Sequence, residues 1–300
     1  MFRIFLALAI ITALISSCQK DYSFSNGNTA GTPNNYTAND SFLTKYVELD
    51  TTAAAGLDTT QKILITYDAQ KRVASVNSIS YNNGLPMPAD SYLTDFFYNG
   101  TDTLPFETIE HEIDPFTTLP VAIPTFNFYS GATKLYDSTI YLNGYDIHRY
   151  YYSPGRLVDS TVQNNPTSLF PVYKSYRNFS LTYAAGDLGI QKDTLIGGYN
   201  VLSTPTDFIA DQQFSYDNKK NPFHRIGLRE GFYEVREWAT YYGSEINNFS
   251  EVNATENGSY NYHFRFSYEY NAADYPKIVR ITDLNDATDF TKGYFYYTSL

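Results

Sequence analysis

Thirty-two carboxylates and four histidines are the groups on which chemistry would first be sought. His111, His148, His224 and His263 form no His-Glu-x-x-His or other close pair able to grip a metal. Beside His111 stand Glu110 and Glu112, but alternation in a strand sends the two glutamates to the face opposite the imidazole. His224 and His263 alternate with apolar neighbours, which places them on a solvated strand face. Paired acids for glycoside hydrolysis could be assembled from distant strands, yet no spacing along the chain singles out a pair. Asp283-Leu284-Asn285-Asp286-Ala287-Thr288-Asp289 opens like a calcium loop but lacks the glycine at position six and the glutamate at twelve. An acidic turn is the simpler expectation. There is no Gly-rich phosphate loop and no Gly-x-Ser-x-Gly elbow. The expectation is a non-enzymatic chain with no metal and no cofactor.

Aromatic rings on a wet face would be the hint of binding. Tyr150-Tyr151-Tyr152 must place at least one ring opposite the others, and Trp238, the one tryptophan, precedes Tyr241-Tyr242. Trp238, Tyr241 and Tyr151 are therefore the candidate binding residues, for stacking on a glycan or a protein surface. Burial of the same rings in an aromatic-rich core is the competing expectation. Asp102-Thr103-Leu104, Asp137-Ser138-Thr139, Asp159-Ser160-Thr161 and Asp193-Thr194-Leu195 resemble the O-glycosylation sequon of Bacteroidota.

The one cysteine, Cys18, excludes a disulfide within the chain and a multi-thiolate metal site. Before it come Arg3, an apolar run from Ile4 to Ile15, and Ser16-Ser17. Twelve residues are too short to span a hydrocarbon core of roughly 30 Å as a helix, and suit the apolar region of a cleaved leader. Ile15-Ser16-Ser17-Cys18 resembles the lipobox of bacterial lipoproteins. The resemblance implies that Cys18 carries a diacylglycerol thioether, that the leader (1–17) is removed, and that the new amino terminus is acylated. Several acyl chains, palmitate among them, would anchor the chain stably where one would not. Gln19-Lys20-Asp21 is similar to the signal that sends lipoproteins of Bacteroidota to the cell surface, with one acid after Lys20. The implied location is the outer membrane, facing outward, with the lipid bilayer as a partner through Cys18.

From Cys18 to residue 40 the chain is mostly Ser, Asn, Gly, Thr and Pro, a tether rather than a fold. About 20 such residues reach roughly 25 Å. The net charge of −11 disfavours nucleic acid, whose phosphates need Lys and Arg. Aromatic residues make up 17% of the chain, 30 of them tyrosine, and no convincing 3.6-residue periodicity follows the leader. Residues 41–300 are thus expected to be one all-β domain.

Phe264, Phe266, Tyr268 and Tyr270 alternate with Arg265, Ser267 and Glu269, giving a strand with a core face and a wet face. Asn271 to Asp274 make the turn, and Pro276, which has no N–H, should begin the returning strand. The pattern recurs after Tyr67, Tyr98, Tyr129, Tyr152, Tyr183, Tyr216 and Tyr242, with Tyr129 and Tyr242 the weakest copies. About eight hairpins make around 16 strands, more than the ~10 an open twisted sheet usually holds. An antiparallel meander, strongly curled or folded into two layers, is the expected architecture. The prolines of 114–124 should mark an irregular crossover or edge, and 247–259 a polar loop. The tyrosine-turn grammar, above all Phe214 to Phe223, resembles uncharacterised Bacteroidota lipoproteins with hairpin repeats and, distantly, the YD repeats of Rhs-type proteins. That resemblance implies a β-hairpin array on a lipid anchor. The lipobox, the tether and the lack of a catalytic constellation together give the expectation of a surface binding or envelope-contact module, or else a structural subunit of a periplasm-facing complex.

Overall fold

The structure, a computed structural model, describes residues 41–52, 56–113, 118–130, 133–141, 144–153, 156–164, 172–184, 187–199, 208–223, 247–256, 260–286 and 288–299. Its sixteen strands are β1 (Phe42–Thr52), β2 (Gly56–Tyr67), β3 (Val73–Asn82), β4 (Leu85–Phe97), β5 (Glu107–Ile113), β6 (Pro120–Ser130), β7 (Thr133–Tyr141), β8 (Gly144–Ser153), β9 (Arg156–Asn164), β10 (Val172–Ala184), β11 (Asp187–Tyr199), β12 (Phe208–Lys220), β13 (Asn247–Glu256), β14 (Tyr260–Tyr270), β15 (Pro276–Asp283) and β16 (Phe290–Thr298). Each pairs antiparallel with its neighbours in sequence, and β1 pairs with β16, so the meander curls into a closed ring. Closure leaves the sheet without a free outer edge.

One expectation is met in part, as a local edge, and one fails. Pro120 and Pro124 lie within β6, opposite Ile113 and Ile109 of β5. The pairing of β6 with β7 begins only at Thr125, so both prolines sit where β6 has a neighbour on one side and a missing N–H need not break a second ladder. The polar stretch from Asn247 is strand β13, not a loop, because its sparse apolar residues Phe249, Val252 and Ala254 are all buried. Pro276 does begin its strand, as expected.

Because alternate strands run in opposite directions, the even-numbered strands all end at one rim. Tyr67, Tyr129, Tyr152, Tyr183, Tyr216 and Tyr270 lie in or near the last turns of β2, β6, β8, β10, β12 and β14, and Tyr98 directly follows β4. Tyr242 lies outside the described residues. The turns after Tyr67 and Tyr270 are alike atom for atom. In the first, the Asp68 carboxylate accepts from the N–H of Gln70 and Arg72. In the second, the Asn271 amide oxygen accepts from Ala273 and Tyr275. Four residues after each tyrosine, Lys71 and Asp274 have φ of 64° and 65°, the left-handed turn that lets the chain reverse. A side-chain oxygen directly after the tyrosine is thus what the turn requires.

The tyrosine itself closes the hairpin. Tyr67 donates its hydroxyl proton to the Leu43 carbonyl at 2.8 Å, Tyr98 to Val73 at 2.9 Å and Tyr297 to Pro276 at 2.7 Å. In each case the ring at the end of a hairpin's second strand clasps the start of its first. Tyr297 belongs to the same series but precedes no turn, which hid it in the sequence.

A candidate contact surface

Following the strand register gives two continuous faces. On the inner face Tyr46 stands opposite Ile63, Ile65 opposite Val76, Val76 opposite Thr94 and Thr94 opposite Glu110. Glu110 is opposite Ile123, two residues before Thr125, and the same face continues through Thr125–Thr139 and Thr139–Asp146.

Its chemistry changes around the ring. Along β13–β16 and β1–β3 it is apolar, with Tyr46, Ile63, Val252, Phe266, Val279 and Ile281 in one buried cluster. Phe223, from the turn after β12, inserts among them, with its ring centroid 5.9 Å from Tyr46 and 6.0 Å from Phe295. A cavity of about 10 Å³ remains there, lined by Phe223, Asn221 and Asn248 among others. Tyr46 fits because Gly293 faces it. A Cβ on Gly293 would meet the Tyr46 ring within 2.3–2.7 Å.

Higher in the ring the same face turns polar. Glu48 accepts from Tyr46 at 3.2 Å and from Thr60 at 3.3 Å, and Gln61 donates to Ser78 at 3.1 Å. Burial pushes the Tyr92 hydroxyl up to about 12; its bond to Ser78 opposes that rise and the Glu110 charge adds to it. On β6–β8 the inner face carries Ile123 near the start of β6 and is polar beyond it. Asn127, Asp137, Thr139 and Asp146 are all buried, and the Thr125 and Thr139 hydroxyls share a hydrogen bond of 2.8 Å.

The outer face varies in the opposite sense. On β13–β16 it is charged. Glu251 accepts from His263 at 2.6 Å and lies 3.8 Å from Arg265, while Arg280 stacks 3.9 Å from the centre of the Phe290 ring. On β6–β8 the outer residues include Phe128, Ile140 and Tyr145, with exposures of 41%, 45% and 40%. Tyr141, at the β7 end beside them, is 43% exposed.

Of the sequence-derived candidates, Cys18, Trp238 and Tyr241 lie outside the described residues. Tyr151 is in β8, opposite Val158. His111 is outward and exposed, 3.1 Å from Asp95, while Glu110 is on the inner face as alternation required. Asp283 and Asp286 each cap a tight turn, Asp283 accepting from Asn285 and Asp286 from Thr288. Those bonds to Thr288 hold the Asp286 carboxyl below its usual range. Burial, followed by the charges of Asp50, Asp283 and Asp286, raises that of Asp289. Among the described residues no three His, Cys, Asp or Glu side chains are placed to hold a metal.

No family model and no curated protein matches the chain. Two solved structures are similar in chain course. A porin-like protein from Bacteroides vulgatus is 10% identical, with 87% of this chain and 100% of that one covered and a TM-score of 0.45. Another porin-like protein, from Bacteroides uniformis, is 6% identical over 85% and 96%, with a TM-score of 0.48.

The outer Phe128, Ile140 and Tyr145 were missed as candidates. Their signal was present in Thr125-Phe126-Asn127-Phe128, a clean alternation. Periodicity separates two faces but does not say which one points inward.

Proposed function

We propose that this chain is a lipid-anchored protein of the outer membrane, exposed at the cell surface, whose barrel does not span the bilayer and serves as a non-enzymatic binding or contact module. The observation that carries this reading is the charged outer face of β14–β16. Arg265, Arg280 and Lys292 follow one another there across adjacent strands, and an Arg or Lys facing lipid at the midplane of a barrel costs about 2–4 kcal/mol. A wall of this kind belongs in water, so attachment must come from elsewhere, and Cys18 behind its apolar leader supplies it. The ligand class is a glycan or a protein surface.

Metabolic labelling with an alkyne fatty acid tests the anchor. Label on the wild-type chain and none on Cys18→Ala is the expected result, and equal labelling would overturn it. Protease shaving of intact cells tests exposure: loss of peptides between Ser41 and Leu300 while periplasmic controls survive is expected. Full protection would instead turn the search toward a periplasm-facing complex, and purified protein that hydrolysed a polysaccharide or ester would sink the non-enzymatic reading.

A further inference from the structure

We propose that the outer face of β6–β8 is a lipid-contacting surface, by which the barrel lies against the membrane that anchors it. The proposal rests on the lipoprotein reading for its location and on the structure for its chemistry. On these three strands the usual distribution is reversed near the β7–β8 end, and exposed Arg149, opposite Tyr136 on the outer face of β8, bounds the patch on the far side. Asn127, Asp137, Thr139 and Asp146 point inward and are buried, while Phe128 and Ile140, on the other face of the same strands, are exposed. Polar in and apolar out is the pattern of a barrel wall that faces hydrocarbon. Among the described side chains it is found on β6–β8.

Two features favour lipid over another occupant. Tyr145 stands opposite Ile140 on the outer face at the start of β8, the kind of amphipathic ring that settles where hydrocarbon meets headgroups. The tether then sets the distance. Roughly 20 residues of the flexible composition that precedes β1 would average about 25 Å end to end, short enough for the patch to reach the bilayer that holds an acylated Cys18. The charged outer face of β14–β16 remains in water. The barrel therefore lies on the membrane as a one-sided, interfacial body.

The test uses the mature chain from residue 18 with Cys18→Ala, which has neither leader nor acyl groups and keeps every strand. It is mixed with vesicles of phosphatidylethanolamine and phosphatidylglycerol and floated on a density gradient. The unanchored chain is expected to float, and Ile140→Asp combined with Tyr145→Asp should weaken its partitioning by about tenfold or more. Near-UV circular dichroism should remain unchanged, since both positions are exposed. Failure of the unanchored chain to float, or equal flotation of the double variant, would overturn the proposal while leaving acylation of Cys18 untouched. A dimer in the absence of vesicles that the same substitutions dissolve would assign the patch to a second copy of the chain and also overturn it.

Discussion

The two arcs of this barrel are built from the same alternation and put it to opposite use. Along β13–β16 and β1–β3, Tyr46, Phe266 and Val279 turn inward and pack with Phe223, while Glu251, Arg265 and Arg280 turn outward. Along β6–β8, Asn127 and Asp137 turn inward and Phe128 and Ile140 outward. Stability therefore concentrates in the first arc, where apolar area is removed from water. The second arc is held by strand pairing and buried polar contacts, and its apolar side chains face outward.

Substitutions that probe this contrast should differ widely in effect. Tyr46→Ala removes a ring that is 1% exposed and should cost about 3–5 kcal/mol in denaturant unfolding. The outer-face change Ile140→Ser should stay within about 0.5 kcal/mol. Similar losses for both would erase the distinction. Next in size, Gly293→Val should cost about 1–3 kcal/mol by driving the Tyr46 ring from its place. Combining it with Tyr46→Ala should cost less than the sum, because the clash disappears with the ring.

Tyr67→Phe removes one clasp and leaves the Leu43 carbonyl without that donor. A loss of about 0.5–1.5 kcal/mol is expected, and Tyr297→Phe should match it if the clasps are equivalent. The smallest effect belongs to Asp289. Its folded pKa lies above the ordinary 3.8, so as pH rises the unfolded chain gives up its proton first and the folded state loses stability relative to it. Asp289→Asn should therefore raise the melting temperature slightly at pH 7. The gain should fade as pH falls through the folded and then the unfolded pKa; a lowered melting temperature at pH 7 would contradict it.

Much of the fold was legible in the sequence because its signals are local. The turn after Tyr270 could be read from Asn271 and Pro276, since the Asx oxygen and the proline each act within a few residues. The core face of β14 was equally plain, because Phe264, Phe266 and Tyr268 alternate with Arg265 and Ser267. Other features depended on distance. Pairing of Phe42 with Thr298 is not written in either segment, so ring closure stayed hidden behind two open alternatives. β13 was missed because three small patches of apolar character, at Phe249, Val252 and Ala254, look weak until β12 and β14 flank them. The contact surface was missed for a related reason: Phe128 and Asn127 declare two faces, and only the ring decides that the asparagine goes inside.

The most direct test of the opposed arcs is nitroxide accessibility on vesicle-bound protein. Single labels at positions 140, 145, 265 and 280 would be introduced into the mature chain carrying Cys18→Ala. Labels at 140 and 145 are expected to collide more with oxygen dissolved in lipid than with a water-soluble nickel chelate, and labels at 265 and 280 should show the reverse. Equal chelate access at all four positions would contradict a barrel with one lipid-facing and one water-facing arc.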